Sequence, residues 1–194
     1  MAILSRVAPD LPDLGPAAPL SGLHPWHNTP DERPLATAGL RGRVVLVHFW
    51  TYVCANCVRT LPYVRALDCS YRARGLTVVG VHTPEVQSDR NPRRVAEAVS
   101  RLRVQYAVGM DNDFIAWNAW SVAHWPSLFL VDGTGRVRYR HVGEGSYRDH
   151  ERAVQALLAE ADAAAGRSSS TARAASRPGA PLTAPPGCAP EPAR

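Results

Sequence analysis

Short, almost continuous runs of apolar residues alternate along this chain with longer segments in which apolar residues have helical spacing. The runs at residues 43–50, 76–81 and 127–131 are rich in Val and Leu and have the length of β-strands. Runs of this kind are typical of strands that are buried on both faces of a sheet. We therefore predict that these three segments form the centre of an α/β domain.

The segments between these runs have the periodicity of amphipathic helices. The first has its apolar positions from Val58 onward, carries Pro62 as an expected kink and ends at Gly75. A strand, a helix and a second strand within roughly forty residues form a βαβ unit, whose strands run parallel. The remaining predicted elements are helices at 92–104 and 147–164, a helical turn at 114–120, and shorter strands at 105–108 and 136–142.

Both ends of the chain lack this patterning. Residues 1–34 are rich in proline, and we interpret them as an N-terminal arm. Residues 165–194 consist mostly of Ser, Ala, Pro, Gly and Arg, which bury too little surface to offset the entropy of ordering, so we expect a disordered tail. One folded domain at 35–164 remains, and a chain of this size can bury one sizeable core.

Charge and hydropathy exclude several classes of function. The net charge is +5, but most of it lies beyond Gly166, so the folded part is close to neutral. Such a domain lacks the basic surface that nucleic-acid binding needs. No apolar run reaches the roughly eighteen residues of a membrane span, and the chain does not begin with the features of a signal peptide. We therefore expect no nucleic-acid partner, no membrane span and a cytoplasmic location.

Two of the four cysteines carry the candidate chemistry. Cys54 and Cys57 form a CxxC motif between the first buried strand and the first helix. Unpaired backbone N–H groups at a helix N-terminus favour an anion, which makes a thiolate available at neutral pH. We predict that Cys54 is the nucleophile and that Cys57 resolves the mixed disulfide and releases the substrate. Arg59 adds a positive charge in the same turn.

A CxxC motif is also half of many zinc sites, which need a second pair of ligands at a similar spacing. Cys69 stands alone in a helical pattern, Cys188 lies in the tail, and no two histidines have the spacing of zinc ligands. A CxxC beside a βαβ pattern therefore favours redox chemistry, and we expect neither a metal nor a cofactor. Cys188 could form mixed disulfides, although an accidental cysteine is the simpler interpretation.

The residues around the motif, FWTYVCANCVRTLPYV, resemble the active site of the TlpA/DipZ branch of thioredoxin-like proteins. The resemblance implies a thioredoxin fold, in which helices flank a mixed sheet of four to five strands and a helical insert precedes Pro126. It also implies thiol–disulfide exchange by a monomer with protein substrates and a redox partner, often outside the cytoplasm and linked to cytochrome c maturation or protein disulfide reduction. The matching segments are residues 49–64, 80–85, 111–113, 125–126 and 141–145, within about 35–162.

The resemblance assigns a substrate-binding role to three residues. Trp50 matches the aromatic residue that shields the site. Pro126 matches a cis-proline that faces the CxxC motif, and Trp125 would offer backbone hydrogen bonds to an extended substrate. An ordinary trans-proline at the start of a strand is the alternative for Pro126, because most X–Pro bonds in folded proteins are trans.

Two further residues are candidates for proton transfer. Glu85 stands where this branch often places a carboxylate, which could accept the proton of the resolving thiol and raise the thiol pKa. A solvated loop glutamate is the equal alternative. His48 replaces the Asp or Asn that relatives usually have beneath the cysteines. It is either a proton relay with a pKa nearer neutrality or a core histidine with a backbone partner.

Two other functions would use overlapping residues. Thr51 stands three residues before Cys54, as in the peroxide site of peroxiredoxins, but Val47 occupies a position where that motif has proline. A copper-binding chaperone would use both cysteines with His82 or His124, which we otherwise interpret as structural or surface residues. The two-residue spacer argues against copper. The motif alone does not assign an oxidising or a reducing direction, since potentials in this fold range from about −270 to −120 mV.

Overall fold

The computed structural model describes residues 10–35 and 37–166. Within these residues, the strands are β1 (Trp26–His27), β2 (Val44–Trp50), β3 (Leu76–His82), β4 (Ala107–Met110), β5 (Ser127–Val131) and β6 (Val137–Val142). The α-helices are α1 (Ala55–Tyr71), α2 (Pro92–Arg101), α3 (Ile115–Ala119) and α4 (Tyr147–Ala164). All six strands belong to one sheet, in the order β1-β4-β3-β2-β5-β6.

The sheet is mixed, as predicted, but it has six strands where four to five were expected. β2, β3 and β4 run parallel, and the strands beyond them pair antiparallel. The additional strand is β1, in which Trp26 pairs with Gly109 and His27 with Val108. A strand of two residues within a proline-rich segment is too short to produce a detectable alternation of apolar and polar positions. The sequence pattern therefore missed it.

The direction of the crossovers decides which helices share a face of the sheet. The β2–α1–β3 and β3–α2–β4 connections advance in the same direction, and right-handed crossovers therefore place α1 and α2 on the same face. Buried residues of α4, including Val154 and Leu157, join the core on that face. The other face is covered by α3 and by the N-terminal arm, through Leu23 and Trp26. We call these the helix face and the arm face.

Several predicted boundaries differ from those of the structure, most clearly around α2 and β4. α2 ends at Arg101 instead of 104, and β4 covers 107–110 instead of 105–108. The apolar spacing misled the prediction because Val104 and Tyr106 are buried in the connection between these elements and so continue the apolar pattern. The long helix α1 begins at Ala55, so its N-terminus lies at the CxxC motif as predicted, and it continues through Pro62.

The described residues 10–34 pack against the sheet as an extended arm. The Leu14 N–H donates to the Val137 carbonyl at 2.8 Å, and the Val137 N–H donates to the Gly15 carbonyl at 2.8 Å. The guanidinium group of Arg138 donates to the Leu11 carbonyl at 2.8 Å. We infer that the arm and the domain expected at 35–164 form one folding unit.

The expected tail at 165–194 lies outside the described residues from 167 onward, and so does Cys188. In the part of the chain that the structure describes, no helix combines the length and the apolar character that a bilayer span requires.

Candidate active site

The two cysteines of the CxxC motif lie at the N-terminus of α1 in different surroundings. Cys54 is the N-cap residue, and its sulfur accepts a hydrogen bond from the Cys57 N–H at 3.4 Å. Cys54 is partly exposed, whereas Cys57 is 0% exposed, and both are free thiols. A disulfide of another protein can therefore reach Cys54 first, and Cys57 can react only with a sulfur that is already bound there.

The surroundings of Cys57 oppose its ionisation. Burial is the main cause that raises the pKa of the Cys57 thiol well above its ordinary value. A hydrogen bond to Cys54 and the nearby charge of Glu85 raise this pKa further, while the backbone N–H of Thr51 lowers it. Cys57 therefore holds its proton at neutral pH and needs a proton acceptor when it attacks.

Trp50 lies in the core beneath the site. It ends β2, is 0% exposed, and belongs to the same cluster of buried side chains as Cys57. Its ring meets the His82 ring edge-on, with centroids 5.4 Å apart. A Cβ at Gly80 would lie 3.0 Å from Trp50 Nε1, so glycine on β3 makes room for the indole. Trp50 is therefore part of the core that contains Cys57 and does not reach the surface.

Trp125 and Pro126 lie at the same edge of the sheet as the cysteines. Ser127 of β5 pairs with Phe49 of β2, so the residues just before β5 face those just after β2. The Trp125–Pro126 peptide bond is cis, as the resemblance implies. The partly exposed Trp125 donates its indole N–H to the Thr83 carbonyl at 3.1 Å, which fixes the ring against the loop after β3.

Glu85 lies in that loop with an exposed side chain. Its carboxylate is close enough to Cys57 to raise the pKa of that thiol. The Glu85 N–H donates to Oδ2 of Asp89 at 3.0 Å, so the backbone of the loop is held in place. This arrangement supplies an accessible carboxylate whose charge reaches a thiol that keeps its proton.

His48 lies in the middle of β2, 0% exposed, between Gly80 of β3 and Leu128 of β5. Among the described residues neither ring nitrogen has a hydrogen-bond partner, so no backbone group holds the ring. Burial, followed by the neighbouring His150, lowers the pKa of His48 to about 3, whereas the relay interpretation expected a value nearer neutrality. The ring is therefore neutral at physiological pH, and its electrostatic neighbour is His150 on α4.

The positive charge of Arg59 has a partner that sequence reasoning missed. Arg59 Nε donates to the two carboxylate oxygens of Glu144 at 3.0 and 2.8 Å. The same guanidinium donates to the Asn56 side chain in the CxxC spacer. Glu144 belongs to the loop between β6 and α4, 85 residues further along the chain. Its charge offsets that of Arg59 beside the motif.

Asp89 is a second residue that the sequence did not single out. Its fully buried carboxylate accepts hydrogen bonds from the Thr51 hydroxyl at 2.5 Å and from the backbone of the loop after β3. Acidic residues are common in loops, and nothing in the local pattern distinguishes this one. Of the histidines considered for copper, His82 is buried and His124 is exposed. Within residues 10–35 and 37–166, no three His, Cys, Asp or Glu side chains are placed to hold a metal ion.

Comparisons with known proteins extend over most of this chain. A sequence model of the redoxin family matches residues 16–158. Protein DipZ of Mycobacterium bovis is 40% identical over 154 residues, which cover 79% of this chain and 22% of DipZ. The thiol-disulfide oxidoreductase YkuV of Bacillus subtilis is 27% identical over 117 residues, covering 60% of this chain and 78% of YkuV.

The solved structures that are similar to this chain share its fold. A thioredoxin-like protein, solved in its oxidised form, matches with a TM-score of 0.67 at 26% identity and covers 75% of this chain and 96% of its own. The fold is therefore the thioredoxin fold, as the sequence resemblance implies. The chain spans about a fifth of the length of DipZ.

Proposed function

The chain belongs to the redoxin family, and from this premise we propose that it is a thiol–disulfide oxidoreductase that acts on protein substrates. The observation that carries the proposal is the unequal burial of the pair. Cys54 is accessible at the N-terminus of a 17-residue helix, and Cys57 is fully buried one turn further on. This arrangement suits a nucleophile followed by a resolving thiol.

The exchange takes place in two displacements. The Cys54 thiolate attacks one sulfur of a substrate disulfide, whose S–S bond breaks, and the other substrate sulfur leaves as a thiolate with the bonding pair. Cys57 then loses its proton and attacks the Cys54 sulfur, which expels the second substrate thiolate. Two electrons have passed to the substrate, and Cys54 and Cys57 form a disulfide that a redox partner reduces. The reverse sequence oxidises a dithiol.

Glu85 is the proposed acceptor of the Cys57 proton. Burial holds that proton at neutral pH, and the carboxylate of Glu85 is exposed and acts on the thiol. General-base catalysis by a positioned carboxylate is worth about two to four orders of magnitude in rate. A relay through His48 stays a prediction, and it would have to start from a neutral ring in the core.

Trp125 and Pro126 are the proposed docking edge for an extended segment of the substrate. Trp125 is partly exposed and its indole is held by the Thr83 carbonyl, so the edge is firm before a substrate arrives. A held edge reduces the ordering entropy that binding costs. We propose that the protein acts as a monomer, with its redox partner docking at the same edge.

Turnover of insulin disulfides tests the proposal. We expect Cys54→Ser to abolish reduction and Cys57→Ser to stop at the mixed disulfide before it completes a turnover, because each variant removes one of the two displacements. Full activity of Cys54→Ser would contradict the proposal. Hydrogen peroxide as the substrate distinguishes the peroxiredoxin alternative from thiol–disulfide exchange. Peroxide turnover that persists in Cys57→Ser would favour the peroxiredoxin alternative.

A further inference from the structure

Asp89 is a buried carboxylate that the two displacements do not use directly. It is 0% exposed, in the loop that follows β3. Its Oδ2 accepts from the Thr51 hydroxyl at 2.5 Å and from the Glu85 N–H at 3.0 Å, and its Oδ1 accepts from the Val86 N–H at 3.0 Å. A carboxylate this deep is costly unless donors surround it. Its three donors are therefore held firmly.

Two of these donors belong to residues that act on Cys57. The backbone of Thr51 acts on the Cys57 thiol and lowers its pKa, while the Thr51 hydroxyl donates to Asp89. The carboxylate of Glu85 acts on the Cys57 thiol, while the Glu85 backbone donates to Asp89. Asp89 thus joins the end of β2 to the loop after β3. The first of these segments carries the Thr51 backbone and the second carries the Glu85 carboxylate, which both act on Cys57.

We propose that Asp89 is a positioning residue for the second displacement, in which Cys57 resolves the mixed disulfide. The inference rests on the proposed function. In this step the Cys57 proton passes to Glu85, the Cys57–Cys54 bond forms, and the bond from Cys54 to the substrate sulfur breaks. The Thr51 amide stabilises the Cys57 thiolate, and Glu85 takes the proton. Both groups are placed by Asp89, so its loss slows this step and not the first.

Asp111 provides a matched control. It too is 0% exposed, and it accepts from the backbone N–H groups of Ala116 at 3.0 Å and Trp117 at 2.8 Å and from the Thr83 hydroxyl at 3.3 Å. These bonds hold the start of α3 on the arm face. An Asp111→Asn variant therefore disturbs an equally buried, equally bonded carboxylate that does not hold Thr51 or Glu85.

Rapid mixing of the reduced protein with dithiobis-nitrobenzoate separates the two displacements. Each displacement releases one coloured thiolate, the first by attack of Cys54 and the second by attack of Cys57 on the resulting mixed disulfide. With Cys69 and Cys188 replaced by serine in every variant, so that only the CxxC pair reacts, a Cys57→Ser variant identifies the second phase by removing it. We expect Asp89→Asn to slow the second phase about tenfold, because a hydrogen bond to a charged group contributes about 1.5 kcal/mol or more. The first phase should change by less than about twofold.

The variants of Asp89 and Asp111 should lose similar thermal stability, but Asp111→Asn should keep a fast second phase. Thr51→Val removes one donor to Asp89 without changing the carboxylate, and it should slow the second phase in the same direction, whereas Thr51→Ser keeps the donor and the rate. Thr51→Val carries the test if Asp89→Asn does not fold.

A second phase at the parent rate in both Asp89→Asn and Thr51→Val would overturn the inference, as would equal slowing in Asp111→Asn. The proposed function fails in a different way, since it fails if the second phase persists in Cys57→Ser. The two failures are therefore distinguishable in one data set.

Discussion

The two faces of the sheet are built from different kinds of side chains. On the arm face, Phe49 packs against Phe129 with ring centroids 5.8 Å apart and against Trp120 at 5.9 Å. On the helix face, the alternate residues of the same strand include His48 and Trp50, both 0% exposed. The alternation of β2 thus sends Phe49 into a cluster of aromatic rings on one side and the titratable His48 to the other.

This division separates stability from reactivity. Packed Phe and Trp rings contribute a large buried apolar area and favourable ring contacts, and they have no group that gains or loses a proton with pH. Buried histidines and a buried thiol add ionisation equilibria that respond to pH and to redox state. A change on the arm face should therefore lower stability and leave the chemistry of the folded protein intact, while changes near the helix face should alter how the protein responds to its surroundings.

Phe129→Ala gives the largest expected effect. Phe129 is 4% exposed and contacts both Phe49 and Trp120, so its removal leaves a cavity in the aromatic packing. We expect a loss of about 3–5 kcal/mol in the free energy of unfolding, measured by urea denaturation. The redox potential of the folded variant should equal that of the parent. A shifted potential would show that the two faces are not separate.

His48→Leu tests the helix face through the pH dependence of stability. Because the pKa of His48 is lowered to about 3, the folded protein leaves this ring neutral at pH values where the unfolded chain binds a proton. The stability it contributes is complete above about pH 6.5 and is lost as the pH falls from there, by about 3 kcal/mol near pH 4 at about 1.4 kcal/mol for each pKa unit. The variant should lose less stability over this range.

Denaturation of both proteins at several pH values checks this expectation. His124→Leu is the matched control, because His124 is exposed and its replacement should leave the pH dependence of the parent unchanged. An identical acid response in His48→Leu and the parent would show that the buried ring does not govern this part of the pH profile.

Glu144→Gln gives the smallest expected effect. The substitution frees Arg59, which then stabilises the nearby Cys54 thiolate and favours the reduced pair. The ion pair is exposed and screened by solvent, so we expect a redox potential higher by only about 10–20 mV and a smaller shift at high salt. Glu97→Gln, which breaks the exposed pair with Arg93, is the control and should leave the potential unchanged. A lower potential in Glu144→Gln would contradict this account.

The sequence predicted the parts of the fold that have local signals. β2 and the start of α1 could be predicted because a buried strand has a continuous apolar run and a helix has apolar residues at helical spacing. β1 was missed because Trp26 and His27 are too few to show alternation. The elements that position the CxxC motif were therefore predictable, and the additional edge strand was not.

The contacts around the cysteines were less accessible to prediction. Asp89 and Thr51 form a hydrogen bond although they are 38 residues apart in the sequence, and Arg59 and Glu144 do so at 85 residues. No local sequence pattern predicts such pairs. The resemblance supplied Glu85, but the sequence could not show that its backbone is held by Asp89. Hydrogen bonds between distant loops depend on tertiary packing, and they appear only when the fold is known.

The most direct test of the central claim is the mass of the covalent adduct formed with an oxidised protein substrate. The account predicts that Cys57→Ser accumulates a mixed disulfide through Cys54, in which one molecule of the variant is bound to one molecule of the substrate. A reductant should release the substrate from this adduct. Cys54→Ser should accumulate no adduct through Cys57, because Cys57 is 0% exposed. An adduct through Cys57 in Cys54→Ser, or the absence of an adduct in Cys57→Ser, would contradict the division of roles between the two cysteines.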